Sequence, residues 1–138
     1  IKSNYVANEK ENLVVSFDQI KKNILSKSFN VIDARSLERF EGKVSEPRKG
    51  LRSGHIQNSF CLPFNQFINQ KTGEFKNLEE LRELFNQNEN IEKRLDQVFT
   101  CGSGVTAAVL AYAYKMVNND YIPKIYDGSW SEYGKYPA

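Results

Sequence analysis

The sequence predicts an α/β fold, a central parallel sheet of about five strands with helices on both faces. Three observations predict it. Short apolar runs alternate with stretches of helical period along the 138 residues, the order a parallel sheet with crossover helices requires. Apolar residues make up 40% of the chain and charged residues 26%, the balance of one globular domain with a real core. A glycine-rich loop, residues 101–106, joins an apolar strand to a helical stretch, the kind of junction where such sheets hold ligands.

The elements follow in order. Residues 1–12 are polar and aperiodic and read as a lead-in or interdomain linker, with the folded domain spanning 13–138. Leu13-Val14-Val15 is a short apolar run. Ser16-Phe17-Asp18-Gln19 has the form of a capping box opening a helix to about Leu25. Phe29 to Asp33 reads as a buried strand, and Ser36 to Phe40 as one helical turn. Residues 41–58 form a long polar loop with Pro47 and three glycines; long loops without structure of their own are often functional. Ser59 to Leu62 is a second strand, stopped by Pro63. Asn77 is placed to cap a helix from Leu78 to Phe85. Val98 to Thr100 is a third strand. A helix of about twelve residues then starts at Val105, with Val105, Ala108, Val109, Tyr112 and Met116 expected as its core face. Lys124 to Tyr126 is a last strand, and Asp127-Gly128 turns the chain into a short terminal helix.

Composition excludes several classes of function. The net charge of +2 is too small to argue for nucleic acid or an acidic membrane surface. No apolar run approaches the ~18 residues of a membrane span, and the start carries no targeting pattern. Cys61, Cys101 and the single His55 lack metal-ligand spacing, so neither metal nor cofactor is expected. Two cysteines in different apolar contexts leave a disulfide open, but a reducing compartment, cytoplasmic or mitochondrial, is the expectation.

The chemistry centres on Thr100-Cys101-Gly102-Ser103-Gly104-Val105-Thr106. Glycines let successive amides converge on one point, and the helix behind them adds free N–H groups. A thiol in that cradle ionises more easily, and the thiolate is the nucleophile. Cys61 follows an apolar strand with no such loop and reads as a packed small residue. Asp33 and His55 read as residues that order loops, Arg35 as an internal ion-pair partner, and Trp130 as core. Six Arg or Lys against three Glu between residues 35 and 55 suggest a rim that receives anions.

Val31-Ile32-Asp33-Ala34-Arg35, Gly54-His55-Ile56, the Cys101 loop and Tyr126-Asp127-Gly128-Ser129-Trp130 occur in the order and spacing of a rhodanese domain. From about Ser16 to Tyr133 the chain resembles that family. Its Cys-Gly-Ser-Gly-Val-Thr loop is similar to the branch that uses 3-mercaptopyruvate, and to the second, catalytic domain of its tandem pairs. The resemblance implies a sulfurtransferase moving a sulfane sulfur from 3-mercaptopyruvate through a Cys101 persulfide, with release of pyruvate. Cys101 and Ser103 would be catalytic. Arg39, Arg48, Gly102, Gly104, Val105 and Thr106 would bind substrate, with the two arginines on its carboxylate. The implied partners are a small anionic sulfur donor, a thiol or thioredoxin-like acceptor, and a first rhodanese domain that supplies a histidine and an aspartate. Thiosulfate-preferring members carry basic residues where this chain has Gly102 and Ser103, so a loop without a side-chain cation is expected to favour mercaptopyruvate.

The alternatives are a thiosulfate sulfurtransferase and a non-catalytic or persulfide-carrying module that acts by protein binding. Rhodanese-like phosphatases end a longer loop in an arginine. Here Thr106 is followed by Ala107 and Ala108.

Overall fold

The computed structural model describes residues 2–137. Helix α1 spans Phe17–Ser26, strand β1 Phe29–Asp33, the single turn α2 Leu37–Phe40 and strand β2 Phe60–Cys61. Helix α3 follows at Leu78–Asn86, β3 at Asp96–Thr100, α4 at Val105–Val117, β4 at Lys124–Ile125 and α5 at Ser129–Tyr133. The expected capping box forms at α1, and the expected Asn77 cap at α3 proves to be a full capping box with Glu80. Ser16 and Gln19 exchange bonds at the start of α1, as Asn77 and Glu80 do at α3, satisfying amides that a helix start leaves free.

The sheet has four parallel strands in the order β2-β1-β3-β4. About five strands are expected; beyond these four, the Leu13-Val14-Val15 run contributes a single parallel bridge, Val14 to Ile125. Side chains alternate across the sheet, as strand geometry requires. Val31 and Val98 face a core shared with Ile20, Tyr126 and Trp130, whereas Ile32 and Phe99 face a core shared with Phe67, Leu81 and Leu110. Helices therefore cover both faces. β1 and β3 pair in register from Phe29–Asp96 to Asp33–Thr100. That register brings Asp33 and the residue before Cys101 to the same carboxyl edge.

One expectation fails. Val105 is 72% exposed and Tyr112 62%, and Ala108 and Met116 also lie on the open side. The buried face of α4 is Ala107, Leu110, Ala111 and Ala113. This helix is apolar on most sides, so its large residues do not mark the buried face. Alanines let it pack close to the sheet, and they carry little of the periodic signal. Residues 64–76 also hold more order than the sequence suggests. A 3-10 turn, Phe64–Phe67, buries Phe67, and Ile68 bridges Phe75 antiparallel.

The 41–58 loop has no regular element, yet it is tied down. The Arg52 amide donates to Gly134 O (3.0 Å), and Trp130 Nε1 donates to Arg52 O (2.8 Å). His55 stacks on Phe40 with ring centroids 3.9 Å apart, and its Nδ1 lies 2.7 Å from Phe40 O. No described helix is long and apolar enough to cross a membrane.

Candidate active site

Cys101 leaves β3 at the carboxyl edge and is 2% exposed. The Gly104 amide donates to its sulfur at 3.1 Å. Burial alone would push the thiol up. The Thr106 hydroxyl and the amides of Ser103, Ala107 and Gly104 outweigh that effect and hold Cys101 below its ordinary value, because hydrogen bonds to the charged form favour it. The dipole of the 13-residue α4 points the same way. Ser103 reaches the sulfur through its amide, and the side-chain bond comes from Thr106.

Two features fix the loop. Gly104 has φ +86°, and a Cβ there would meet Asp127 Oδ1 at 2.7 Å, so only glycine fits. Ser129, at the start of α5, is fully buried with φ 51°. Its hydroxyl accepts from the Cys101 amide (3.1 Å) and from Thr100 Oγ1 (3.1 Å), and donates to Tyr126 O (2.8 Å). The amides of Trp130 and Ser131 then donate to the carbonyls of Cys101 and Gly102 at 3.0 and 2.9 Å. Sequence reasoning gave Ser129 no role. The signal was a hydroxyl residue directly after the Asp127-Gly128 turn.

Arg39 and Arg48 converge on the loop. A Cβ at Gly102 would stand 3.0 Å from Arg39 Nη2, 3.8 Å from Arg39 Nη1 and 3.4 Å from Arg48 Nη1. Both guanidinium groups thus lie against the backbone next to Cys101. This agrees with the expectation of a loop without a side-chain cation and adds where the cations stand. The loop has none of its own, but the 36–48 segment brings two. Among the described residues Arg48 makes no ion pair. Val105, on the first turn of α4, is exposed.

Beneath Arg39 lies a buried ion network. Arg35, with its side chain 0% exposed, pairs with Asp33 and Glu46, each at 2.7 Å. Glu46 in turn holds Arg39 at 2.5 Å. The Arg35 guanidinium sits 4.6 Å from the centre of the Trp130 ring. Asp33 and Arg35 therefore order the site from below. Cys61 presents the opposite case to Cys101. Burial, then the Asp33 carboxylate, push it up to about 12.

The fold and the site together define a class: a parallel α/β domain that holds a cysteine thiolate in an amide cradle under two arginines. The chain belongs to the rhodanese-like domain family, whose model matches residues 16–136. It is 40% identical over 120 residues to human 3-mercaptopyruvate sulfurtransferase, covering 87% of this chain and 39% of that protein. It is 42% identical over 125 residues to the mitochondrial thiosulfate/3-mercaptopyruvate sulfurtransferase 1 of Arabidopsis thaliana, covering 91% and 32%. Among solved structures, the Escherichia coli 3-mercaptopyruvate sulfotransferase SseA superimposes with a TM-score of 0.74 at 31% identity, covering 94% of this chain and 46% of that one. The chain spans less than half the length of these relatives.

Proposed function

We propose that this domain is the cysteine-bearing half of a sulfurtransferase whose donor is 3-mercaptopyruvate. The observation that carries this reading is the meeting of a lowered thiol, Cys101, with two guanidinium groups at Gly102. The thiolate attacks the donor sulfur and an S–S bond forms. The S–C bond breaks, and its electron pair leaves on carbon as the enolate of pyruvate, which a proton converts to pyruvate. Cys101 keeps the sulfur as a persulfide, and an acceptor thiol takes it in the second half-reaction. Arg39 and Arg48 hold the carboxylate by charge-assisted bonds. The amides around the sulfur, with Ser103 at the mouth, favour the developing negative charge.

The lengths of the relatives and the resemblance support a second domain in the parent protein. A thioredoxin-like thiol suits the acceptor role, and the cytosol or mitochondrion suits the chemistry.

Thiosulfate is the second reading, favoured by the two cations beside Gly102, which would attract a dianion. Intact-mass measurement after exposure to each donor separates the two. One added sulfur on Cys101 from mercaptopyruvate and little from thiosulfate supports the first reading. The reverse supports the second, and no added sulfur from either removes both.

A further inference from the structure

Arg39 has two edges that can grip an anion, and this protein spends one of them on itself. Glu46 takes the lateral edge. Arg39 Nε donates to Glu46 Oε1 (3.3 Å) and Nη2 to Glu46 Oε2 (2.5 Å). What remains is the terminal edge, and Nη1 and Nη2 are the atoms that face Gly102. Glu46 is itself fixed. Its side chain is 1% exposed, and Oε1 also accepts from Arg35 Nη1 at 2.7 Å. Arg35 is locked in turn, with Nε and Nη2 on Asp33 and Nη2 also on Gly54 O. A rigid chain therefore runs from the end of β1 to the guanidinium over the Cys101 loop. Arg39 is 25% exposed at its side chain, so without Glu46 it would be free to swing outward.

We infer that Glu46 is a positioning residue for the donor's carboxylate: it turns Arg39 so that its terminal edge faces the anion bound beside Cys101. This rests on the reading that Arg39 receives that carboxylate. Glu46 is an anion next to an anion site, so by charge alone its removal should strengthen anion binding. As a positioning residue, its removal should weaken it.

Alkylation of Cys101 reads this without any sulfur transfer. Iodoacetate carries a carboxylate and iodoacetamide does not, and both give up iodide to the thiolate. The ratio of their rate constants cancels changes in thiol reactivity, including those from a merely structural loss. Cys61, pushed up to about 12, stays silent near neutral pH. In Glu46→Gln the iodoacetate-to-iodoacetamide ratio should fall about tenfold, one charge-assisted contact. An unchanged or higher ratio overturns the inference. Should Glu46→Gln fail to fold, Glu46→Asp keeps the charge that Arg35 needs but is one methylene too short to reach both arginines. There the ratio should fall about threefold, and an unchanged ratio again overturns the inference. Arg39→Ala is the reference. A drop in Arg39→Ala with none in either Glu46 variant defeats the positioning role alone. No drop in Arg39→Ala defeats the carboxylate clamp and the positioning role together.

Discussion

The two cysteines of this chain sit on the same edge of the same sheet and have opposite chemistry. Cys61 ends β2 and Cys101 follows β3, both at carboxyl ends of parallel strands. Burial opposes ionisation of each. At Cys61 the nearby Arg35 charge offsets only part of it, and the Asp33 carboxylate adds to it. The neighbour of Cys61 in register is Asp33, and its sulfur donates to the Arg35 carbonyl at 3.5 Å. Pro63 then leads into the single 3-10 turn Phe64–Phe67 and not into an α-helix. Cys101 is followed by glycines, converging amides and the start of α4. Sheet position brings a thiol to the edge, and the next five residues decide whether it reacts.

The largest way to break the comparison is to exchange the thiols for hydroxyls. Cys101→Ser should abolish sulfur transfer, because serine forms no persulfide. Cys61→Ser should keep transfer, with a stability change under about 1 kcal/mol. Loss of transfer in the Cys61 variant would erase the distinction. Next come the arginines. Arg39→Ala or Arg48→Ala should lower kcat/KM for mercaptopyruvate by about 1.5–3 kcal/mol of transition-state binding. Lys should rescue poorly, lacking the planar fork. Unchanged kinetics in both Ala variants would move the anion site elsewhere.

Smaller changes sharpen the comparison. Thr106→Val removes the side-chain bond to the Cys101 sulfur and should move its thiol upward, toward Cys61. Persulfide formation at neutral pH should slow on the order of tenfold, with the pH profile displaced to higher pH. Ser129→Ala leaves the Cys101 amide and the Thr100 hydroxyl without their buried acceptor. It should cost about 2 kcal/mol in urea unfolding with Cys101 still the reactive thiol.

Most of the architecture was legible because it rests on local signals. The capping pair Ser16–Gln19, the Asn77 cap, the apolar runs of β1 and β3 and the glycine loop all announce themselves within a few residues. The face of α4 was not legible, since its alanines carry no contrast against Val105 and Tyr112. Arg39 and Arg48 could be pointed to only by resemblance, because no local pattern brings them to Gly102. Glu46 was not singled out at all. A glutamate in a polar loop looks solvated until the fold wraps it between Arg35 and Arg39.

The most direct test is the pH dependence of iodoacetamide alkylation, followed at each cysteine by mass spectrometry of the peptides. Cys101 should titrate below the ordinary thiol value and react across the neutral range. Cys61 should stay unmodified until the solution is strongly alkaline. Equal titration of the two thiols near their ordinary value, or earlier reaction of Cys61, would contradict the account.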